Sequence, residues 1–121
     1  MAGVLQRLAV PVVQAPMAGG PSTPALARAT IEAGGLGFVA AGYRWPADLE
    51  GELDELRART DGPLAVNLFA DPGPPADGEA VRRYAAELAA DGRTPGAPRH
   101  DDDALEAKLD VVCARRPDAV S

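Results

Sequence analysis

The chain has 121 residues, of which 46% are hydrophobic and 25% charged, and its formal net charge is −6. This size and composition predict one globular domain with a buried core. The acidic balance, without a basic cluster interleaved with aromatic side chains, argues against a nucleic-acid partner. No segment has the roughly 20 apolar residues that span a bilayer, and no secretory signal pattern is present, so we expect a cytoplasmic protein with no membrane partner.

Apolar strands and helices alternate along the first part of the chain. Leu8–Ala15 predicts a strand buried on both faces, and a capping threonine followed by a proline predicts a helix over Pro24–Ala33. Leu36–Ala41 and Leu64–Phe69 predict two further strands. Between them, leucines at helical spacing predict a helix that begins at Pro46.

The second part of the chain continues this alternation. A loop rich in proline and glycine, Asp71–Gly78, precedes a helix that ends near Gly92. The acidic run Asp101–Asp103 predicts the start of another helix, whose buried face is formed by Leu105, Leu109 and Val112. Asp118–Ser121 predicts the opening of a fourth strand.

Strands that alternate with helices of this length predict right-handed βαβ units and a parallel sheet, so the expected fold class is α/β. A complete TIM-type (β/α)8 barrel has eight strands and about 250 residues. We therefore expect the N-terminal half of such a barrel, a partial domain over residues 1–121 that is truncated at the start of the fourth strand. Its last strand would be an open edge, available for self-association.

The loop after the first predicted strand, Ala15–Thr23, is a candidate binding site, because ligands of parallel α/β sheets bind beyond the carboxyl ends of the strands. Pro16 stiffens the main chain, and Met17 offers polarizable apolar contact. Gly19 and Gly20 allow a flat ligand to approach the backbone. An ordinary βα turn would use the same residue types, and composition alone leaves both interpretations open.

Asn67 is a second candidate, because it interrupts the apolar run of the third predicted strand near its carboxyl end. Its amide both donates and accepts hydrogen bonds, and a buried amide needs partners. Asn67 therefore either binds a ligand or hydrogen-bonds a neighbouring loop.

The other reactive side chains indicate neither a catalytic nor a metal site. His100, the only histidine, lies in a linker among charged residues, where an exposed position is expected. Cys113, the only cysteine, fits a small apolar core or boundary residue better than a nucleophile. The consecutive carboxylates of Asp101–Asp103 point in different directions and suit a helix dipole better than a metal ion.

Three stretches match one family pattern in order: Gln14-Ala15-Pro16-Met17-Ala18-Gly19-Gly20 with Ser22-Thr23-Pro24, then Glu32-Ala33-Gly34-Gly35-Leu36-Gly37-Phe38, then Val66-Asn67-Leu68-Phe69. Together they resemble the N-terminal part of nitronate monooxygenases, formerly called 2-nitropropane dioxygenases, which are FMN-dependent (β/α)8 barrels. The approach to that family's fourth strand is also similar to Asp101–Asp103, Lys108-Leu109 and Val120-Ser121. The resemblance covers nearly the whole chain.

The resemblance implies that the loop after the first strand lies against the isoalloxazine ring of FMN, where bulky side chains would block the approach. It places a main-chain hydrogen bond to the flavin at Ala18 and a cofactor contact at Asn67. The implied cofactor-binding residues are Pro16, Met17, Ala18, Gly19 and Asn67.

The activity implied by the resemblance is the oxidation of alkyl nitronates with O2 to carbonyl compounds and nitrite, in which the flavin carries the electrons. The family's histidine and its phosphate-binding glycine loops have no counterpart before Ser121, so we assign no catalytic residue and expect a fragment that is inactive alone. Two alternatives remain open. The chain could belong to an FMN-dependent enoyl-[acyl-carrier-protein] reductase, which takes electrons from a nicotinamide cofactor, or it could be a non-catalytic half-barrel that self-associates.

Overall fold

The structure, a computed structural model, describes residues 3–70 and 73–121, so Asp71 and Pro72 of the predicted loop lie outside the described residues. After a short 3-10 helix at Val4–Arg7, the elements are α1 (Pro24–Glu32), β1 (Gly37–Ala40), α2 (Pro46–Arg59), β2 (Leu64–Asn67), α3 (Gly78–Ala90), α4 (Leu105–Arg115) and β3 (Ala119–Val120). The sheet, α1, α2 and α4 belong to one compact unit, and Ala70–Asp102, with α3, forms a second.

The three strands form a parallel sheet in the order β1-β2-β3. In this register Ala40 lies level with Asn67, and Val66 lies level with Val120. The expected α/β class with parallel strands is therefore confirmed. None of the helices within the described ranges combines the length and the apolar character needed to cross a membrane.

The predicted first strand, Leu8–Ala15, is not a strand of this sheet. Val13 pairs with Leu36 as an isolated parallel bridge, and the N–H of Val10 donates to the carbonyl oxygen of Gly34 at 3.1 Å. Three valines that were expected in the core are instead exposed: Val10 by 41%, Val12 by 52% and Val13 by 47%. The prediction of a strand buried on both faces is wrong for these residues.

The backbone of this segment explains the difference. Pro11 has no N–H to donate to a neighbouring strand. The N–H of Val12 turns back to the carbonyl oxygen of Val10 at 2.7 Å, which closes a γ-turn and removes a second donor from the ladder. The predicted fourth strand, Asp118–Ser121, consequently contains the third strand of the sheet, β3.

One face of the sheet packs against the helices and holds the main core, which consists of Ala27, Ile31, Val39, Ala41, Leu49, Leu53, Leu56, Leu64, Val66 and Val112. Each fully buried leucine contributes about 2 kcal/mol through the apolar surface that it removes from water. The other face holds a smaller cluster of Leu36, Phe38 and Ala65, against which Val4 and Leu8 pack. Because side chains alternate along a strand, Asn67 lies on the same face as Ala65.

The start and end of α1 follow the local signals in the sequence. Thr23 caps the helix by accepting a hydrogen bond from the N–H of Leu26 at 3.2 Å, and Pro24 occupies the first turn. Gly34, with φ of 93°, follows the helix in the left-handed region that favours glycine. The helix predicted over Pro24–Ala33 is confirmed to within one residue.

Helix α4 forms as predicted, but its buried face differs. Val112 is buried as expected, whereas Leu109 is 42% exposed and Lys108 is only 1% exposed. The ammonium of Lys108 forms an ion pair with Asp103 at 2.5 Å, and this partner makes its burial tolerable. Apolar periodicity alone could not reveal a buried cation.

The second unit contains helix α3. Helix α3 begins after Asp77, whose carboxylate accepts a hydrogen bond from the N–H of Glu79 at 2.9 Å, and Gly92 follows its end with φ of 76°. The predicted helix is present, but none of its described residues is buried. Tyr84, on this helix, is 63% exposed.

At the amino end of β3, the carboxylate of Asp118 joins three parts of the first unit. It accepts hydrogen bonds from Arg57 at 2.8 Å, from Arg7 at 2.9 Å and from the backbone N–H of Leu64 at 3.0 Å. Burial raises the pKa of Asp118, but these hydrogen bonds outweigh it and lower the pKa from 3.8 to about 2. The ionised carboxylate therefore stabilises the fold.

We predict that Asp118→Asn lowers the free energy of unfolding at neutral pH by about 2 kcal/mol. Because the folded-state pKa lies below the unfolded value, the stabilisation is present above pH 3.8 and is lost as the pH falls towards about 2. Urea unfolding at several pH values measures this dependence, which the variant should lack. Asp61→Asn, at an exposed carboxylate, is the matched control, and equal losses in both variants would contradict the prediction.

Candidate functional site

The carboxyl ends of the three strands meet at one edge of the sheet. The N–H of Ala41, after β1, donates to the carbonyl oxygen of Asn67 at 3.0 Å. The N–H of Leu68, after β2, donates to the carbonyl oxygen of Ser121 at 2.9 Å. Ligands of parallel α/β sheets bind beyond this edge, so these residues and the loops that follow them form the candidate site.

Gln14 ends the pairing of the preceding segment with Leu36, the residue before β1. Its side chain is buried, its Oε1 accepts from the N–H of Phe38 at 3.2 Å, and its Nε2 donates to the carbonyl oxygen of Phe38 at 3.2 Å. The side-chain amide thereby satisfies the backbone groups that a continuing parallel strand would have paired. The main chain is thus free to leave the sheet and to enter the loop.

Ser22 closes the other end of this loop. Its buried Oγ accepts from the N–H of Met17 at 2.8 Å and from Nε2 of Gln14 at 3.3 Å, and donates to the carbonyl oxygen of Ala15 at 3.4 Å. One hydroxyl therefore uses its single proton and both acceptor sites. Gln14 and Ser22 belong to the family pattern, but the sequence alone did not identify them as the residues that hold the loop.

Between these two residues the loop offers its main chain to solvent. Gly19 and Gly20 have φ of 82° and 126°, and a Cβ added to either would meet no atom within 4 Å. Met17 is 42% exposed, and the N–H of Ala18 donates to no other residue in the part of the chain that the structure describes. Pro16 is half-buried at the start of this stretch. The cofactor contacts expected of these residues remain predictions.

Asn67 is half-buried and hydrogen-bonded to the end of β3. Its Nδ2 donates to Oγ of Ser121 at 3.1 Å and to the carbonyl oxygen of Ser121 at 3.4 Å. Of the two roles considered for Asn67, bracing a neighbouring segment is therefore observed. Its Oδ1 accepts no hydrogen bond from the described residues, and the cofactor contact remains a prediction.

An aromatic pair at the same edge was not identified from the sequence. The rings of Tyr43 and Phe69 meet edge to face, with centroids 5.1 Å apart and an interplanar angle of 83°. The Phe69 ring lies directly over Gly42, where an added Cβ would come within 2.5 Å of Cζ. Phe69 ends one predicted strand and Tyr43 follows the end of another by two residues, and this position was the available signal. We call Tyr43 and Phe69 the aromatic wall.

The turn after β1 is also tied to α2. Arg44 forms an ion pair with Glu52 at 2.5 Å, and both side chains are largely buried. Burial raises the pKa of Glu52, and the attraction of Arg44 only partly offsets this. The ion pair fixes one side of the turn that carries Tyr43.

The remaining candidates differ in their exposure and in their hydrogen-bonding partners. His100 lies in the second unit and is exposed, as expected, whereas Cys113 is exposed on α4 and not a core or boundary residue. Asp101 pairs with Arg99, and Asp103 pairs with Lys108. Across residues 3–70 and 73–121, no three His, Cys, Asp or Glu side chains are grouped so that they could hold a metal ion.

Comparison with known proteins identifies similar chains. The sequence profile described as nitronate monooxygenase matches residues 4–121. A probable nitronate monooxygenase of Bacillus subtilis (strain 168) is 44% identical over 73 residues, which cover 58% of this chain and 21% of that protein. The nitronate monooxygenase of Paraburkholderia phytofirmans is 39% identical over 95 residues, which cover 75% of this chain and 26% of the relative.

A solved structure is similar in fold as well. The nitroalkane oxidase of Streptomyces ansochromogenes superposes with a TM-score of 0.84 and 40% sequence identity, covering 98% of this chain and 35% of that protein. The expectation that the chain forms part of a TIM-type barrel is confirmed by this match. The chain thus spans 35% of this structural neighbour and 21% and 26% of the two curated relatives.

We predict that Gly42→Ala lowers the free energy of unfolding by about 1–3 kcal/mol, because the new methyl group collides with the Phe69 ring and displaces it. Urea unfolding measures the loss. Gly51→Ala is the matched control, since a Cβ at this exposed position of α2 meets no atom within 4 Å and alanine favours a helix by up to about 1 kcal/mol. A Gly42→Ala variant as stable as the original protein would show that the Phe69 ring moves aside without lowering the free energy of unfolding.

Proposed function

The chain belongs to the nitronate monooxygenase family, and from this membership we propose that it forms the part of an FMN-dependent oxidoreductase that contacts the flavin ring. One observation carries the proposal. The loop Pro16–Gly20, tied at its ends by Gln14 and Ser22, lies at the same edge of the sheet as Asn67. Similarity to a nitroalkane oxidase and to two nitronate monooxygenases supports an oxidoreductase of this class.

The residues at this edge fit a flavin ring. A flat, mostly apolar ring with a polar rim requires an open main-chain surface and a few hydrogen-bonding groups. Gly19 leaves the main chain open, while the N–H of Ala18 and Oδ1 of Asn67 have no partner among the described residues. Met17 adds exposed polarizable contact. We therefore propose that the cofactor contacts are Pro16, Met17, Ala18, Gly19 and Asn67.

The proposed reaction converts two alkyl nitronates and one O2 into two carbonyl compounds and two nitrite ions. FMN, when bound, supplies the transfer of electrons from the nitronate to oxygen. The residues of this chain orient the ring and keep bulky groups away from it. The three strands form only part of a site that a complete barrel builds from eight, so we expect the 121 residues to be inactive alone.

Self-association of the 121-residue chain is a further part of the proposal. Val120, at the free side of β3, is 48% exposed, and Val12 and Val13 are exposed at the opposite side of the unit. Exposed apolar strand edges pair readily with a second copy. This contact would compete with the remainder of a barrel for the same surfaces.

The activity is tested by joining these 121 residues to the part of the Streptomyces nitroalkane oxidase that they do not match. We expect a yellow flavoprotein that consumes O2 and forms nitrite from an alkyl nitronate, whereas the 121-residue chain alone should form none. Nitrite assay and oxygen electrode measure both. Oxidation of NADH with an enoyl thioester, without nitrite formation, would instead indicate the enoyl-[acyl-carrier-protein] reductase alternative.

In the joined protein we predict that Asn67→Leu weakens FMN binding by about tenfold to a hundredfold, because a buried polar group of the ligand loses a hydrogen bond worth about 1–3 kcal/mol. Flavin fluorescence titration measures the Kd. Ser121→Ala is the matched control, since it removes the hydroxyl that braces Asn67 and leaves the amide in place. Equal weakening in both variants would assign Asn67 to bracing alone, and unchanged binding would remove it from the site.

A further inference from the structure

A buried ion pair connects α4 to the turn that follows β1. Lys108 is 1% exposed, and its Nζ lies 2.5 Å from Oδ2 of Asp103, whose side chain is 14% exposed. The other oxygen of Asp103, Oδ1, accepts a hydrogen bond from the backbone N–H of Tyr43 at 3.1 Å. Asp103 therefore links the helix to a residue 60 positions earlier in the chain.

Both ends of this connection have unusual backbone conformations. Tyr43 has φ of 65°, and Asp103 and Ala104 have φ of 55° and 53°. Residues other than glycine enter this left-handed region at a cost and persist there when surrounding contacts hold them. The hydrogen bond between Tyr43 and Asp103 joins the two strained segments directly. Strain of this kind concentrates at functional sites.

The energetics of the pair favour a positioning role over a purely stabilising one. Burying two charges costs about as much as their attraction returns, and well-packed apolar residues of the same volume stabilise a core at least as well. What an apolar pair could not provide is an acceptor for the N–H of Tyr43. Lys108 compensates the charge of Asp103, and Asp103 supplies that acceptor.

The turn after β1, which carries Tyr43, belongs to the candidate site. Tyr43 lies two residues beyond Ala41, whose N–H is bonded to Asn67, and its ring packs on Phe69. Tyr43 remains 70% exposed at this edge, so its ring is available to a ligand. On its other side the turn is fixed by the Arg44–Glu52 ion pair. The turn is thus held from both α2 and α4.

We propose that Asp103 and Lys108 are positioning residues that hold Tyr43 against Phe69, so that this aromatic wall contacts the alkyl group of the substrate. This inference rests on the proposed function for the identity of the substrate. An alkyl nitronate has an anionic nitronate group and an apolar chain, and exposed aromatic rings suit the apolar chain. The pair would therefore govern affinity for longer alkyl groups without taking part in the chemical step.

The positioning is tested in the 121-residue chain by amide hydrogen exchange. Asp103→Ala with Lys108→Met leaves no unpaired buried charge, so the fold is retained, and we expect exchange at the Tyr43 N–H to rise about tenfold or more. Asp103→Asn with Lys108→Met restores an acceptor oxygen and should restore most of the protection. Unchanged protection in the first double variant, or no restoration in the second, would overturn the proposal.

Substrate selection is tested in the joined protein with alkyl nitronates of increasing chain length. For the alanine double variant we expect KM to rise about fivefold for a longer chain, with little change for the shortest nitronate and with kcat within about twofold. Asp54→Asn, which removes an exposed ion pair between α4 and α2, is the control and should change neither constant. A uniform rise in KM at every chain length would overturn the assignment of the alkyl group. If the unmodified joined protein forms no nitrite, the proposed function is wrong. Amide hydrogen exchange at the Tyr43 N–H then still tests whether Asp103 and Lys108 position Tyr43.

Discussion

Parallel pairing in one register is the constraint on which the candidate site depends. It sets Asn67 between the end of β1, through the N–H of Ala41, and the end of β3, through Ser121. A shift of one residue in β2 would turn Asn67 towards the helices and bring Val66 to the other face. At the opposite edge, Asp118 holds the start of β3 to Leu64 and prevents such a shift. The backbone hydrogen bonds between the strands therefore fix the relative positions of the residues in the site.

The loop before α1 shows how a side chain can replace a backbone partner. Gln14 bonds both backbone groups of Phe38, and Ser22 bonds Gln14 and the N–H of Met17. The bonds of the Gln14 side chain are buried, where each unsatisfied polar group would cost about 1–3 kcal/mol. The ends of the loop are consequently rigid, while Gly19 and its neighbours keep an open main-chain surface. Rigid support beneath an open surface is what binding a flat ring requires.

Two carboxylates at opposite edges of the sheet have different roles. Asp118, at the amino edge, receives hydrogen bonds from two arginines and a backbone N–H, and its depressed pKa marks it as a source of stability. Asp103, at the carboxyl edge, balances one buried lysine and uses its second oxygen to hold a strained turn. The first connects the 3-10 helix, α2 and β2 to the start of β3. The second acts on one exposed aromatic side chain and thus on a surface that a ligand can reach.

The sequence by itself determined the elements whose signals are local. Thr23 and Pro24 start α1, apolar runs form β1 and β2, and the alternation of these elements predicts a parallel α/β fold. The family pattern likewise located the loop and Asn67. Only the tertiary structure decided that Val10 and its neighbours are exposed, that Lys108 is buried, and that Tyr43 packs on Phe69. Burial and pairing depend on partners that meet in three dimensions, such as Asp103, which binds Lys108 five positions later and Tyr43 60 positions earlier. Neither periodicity nor composition encodes where such partners lie.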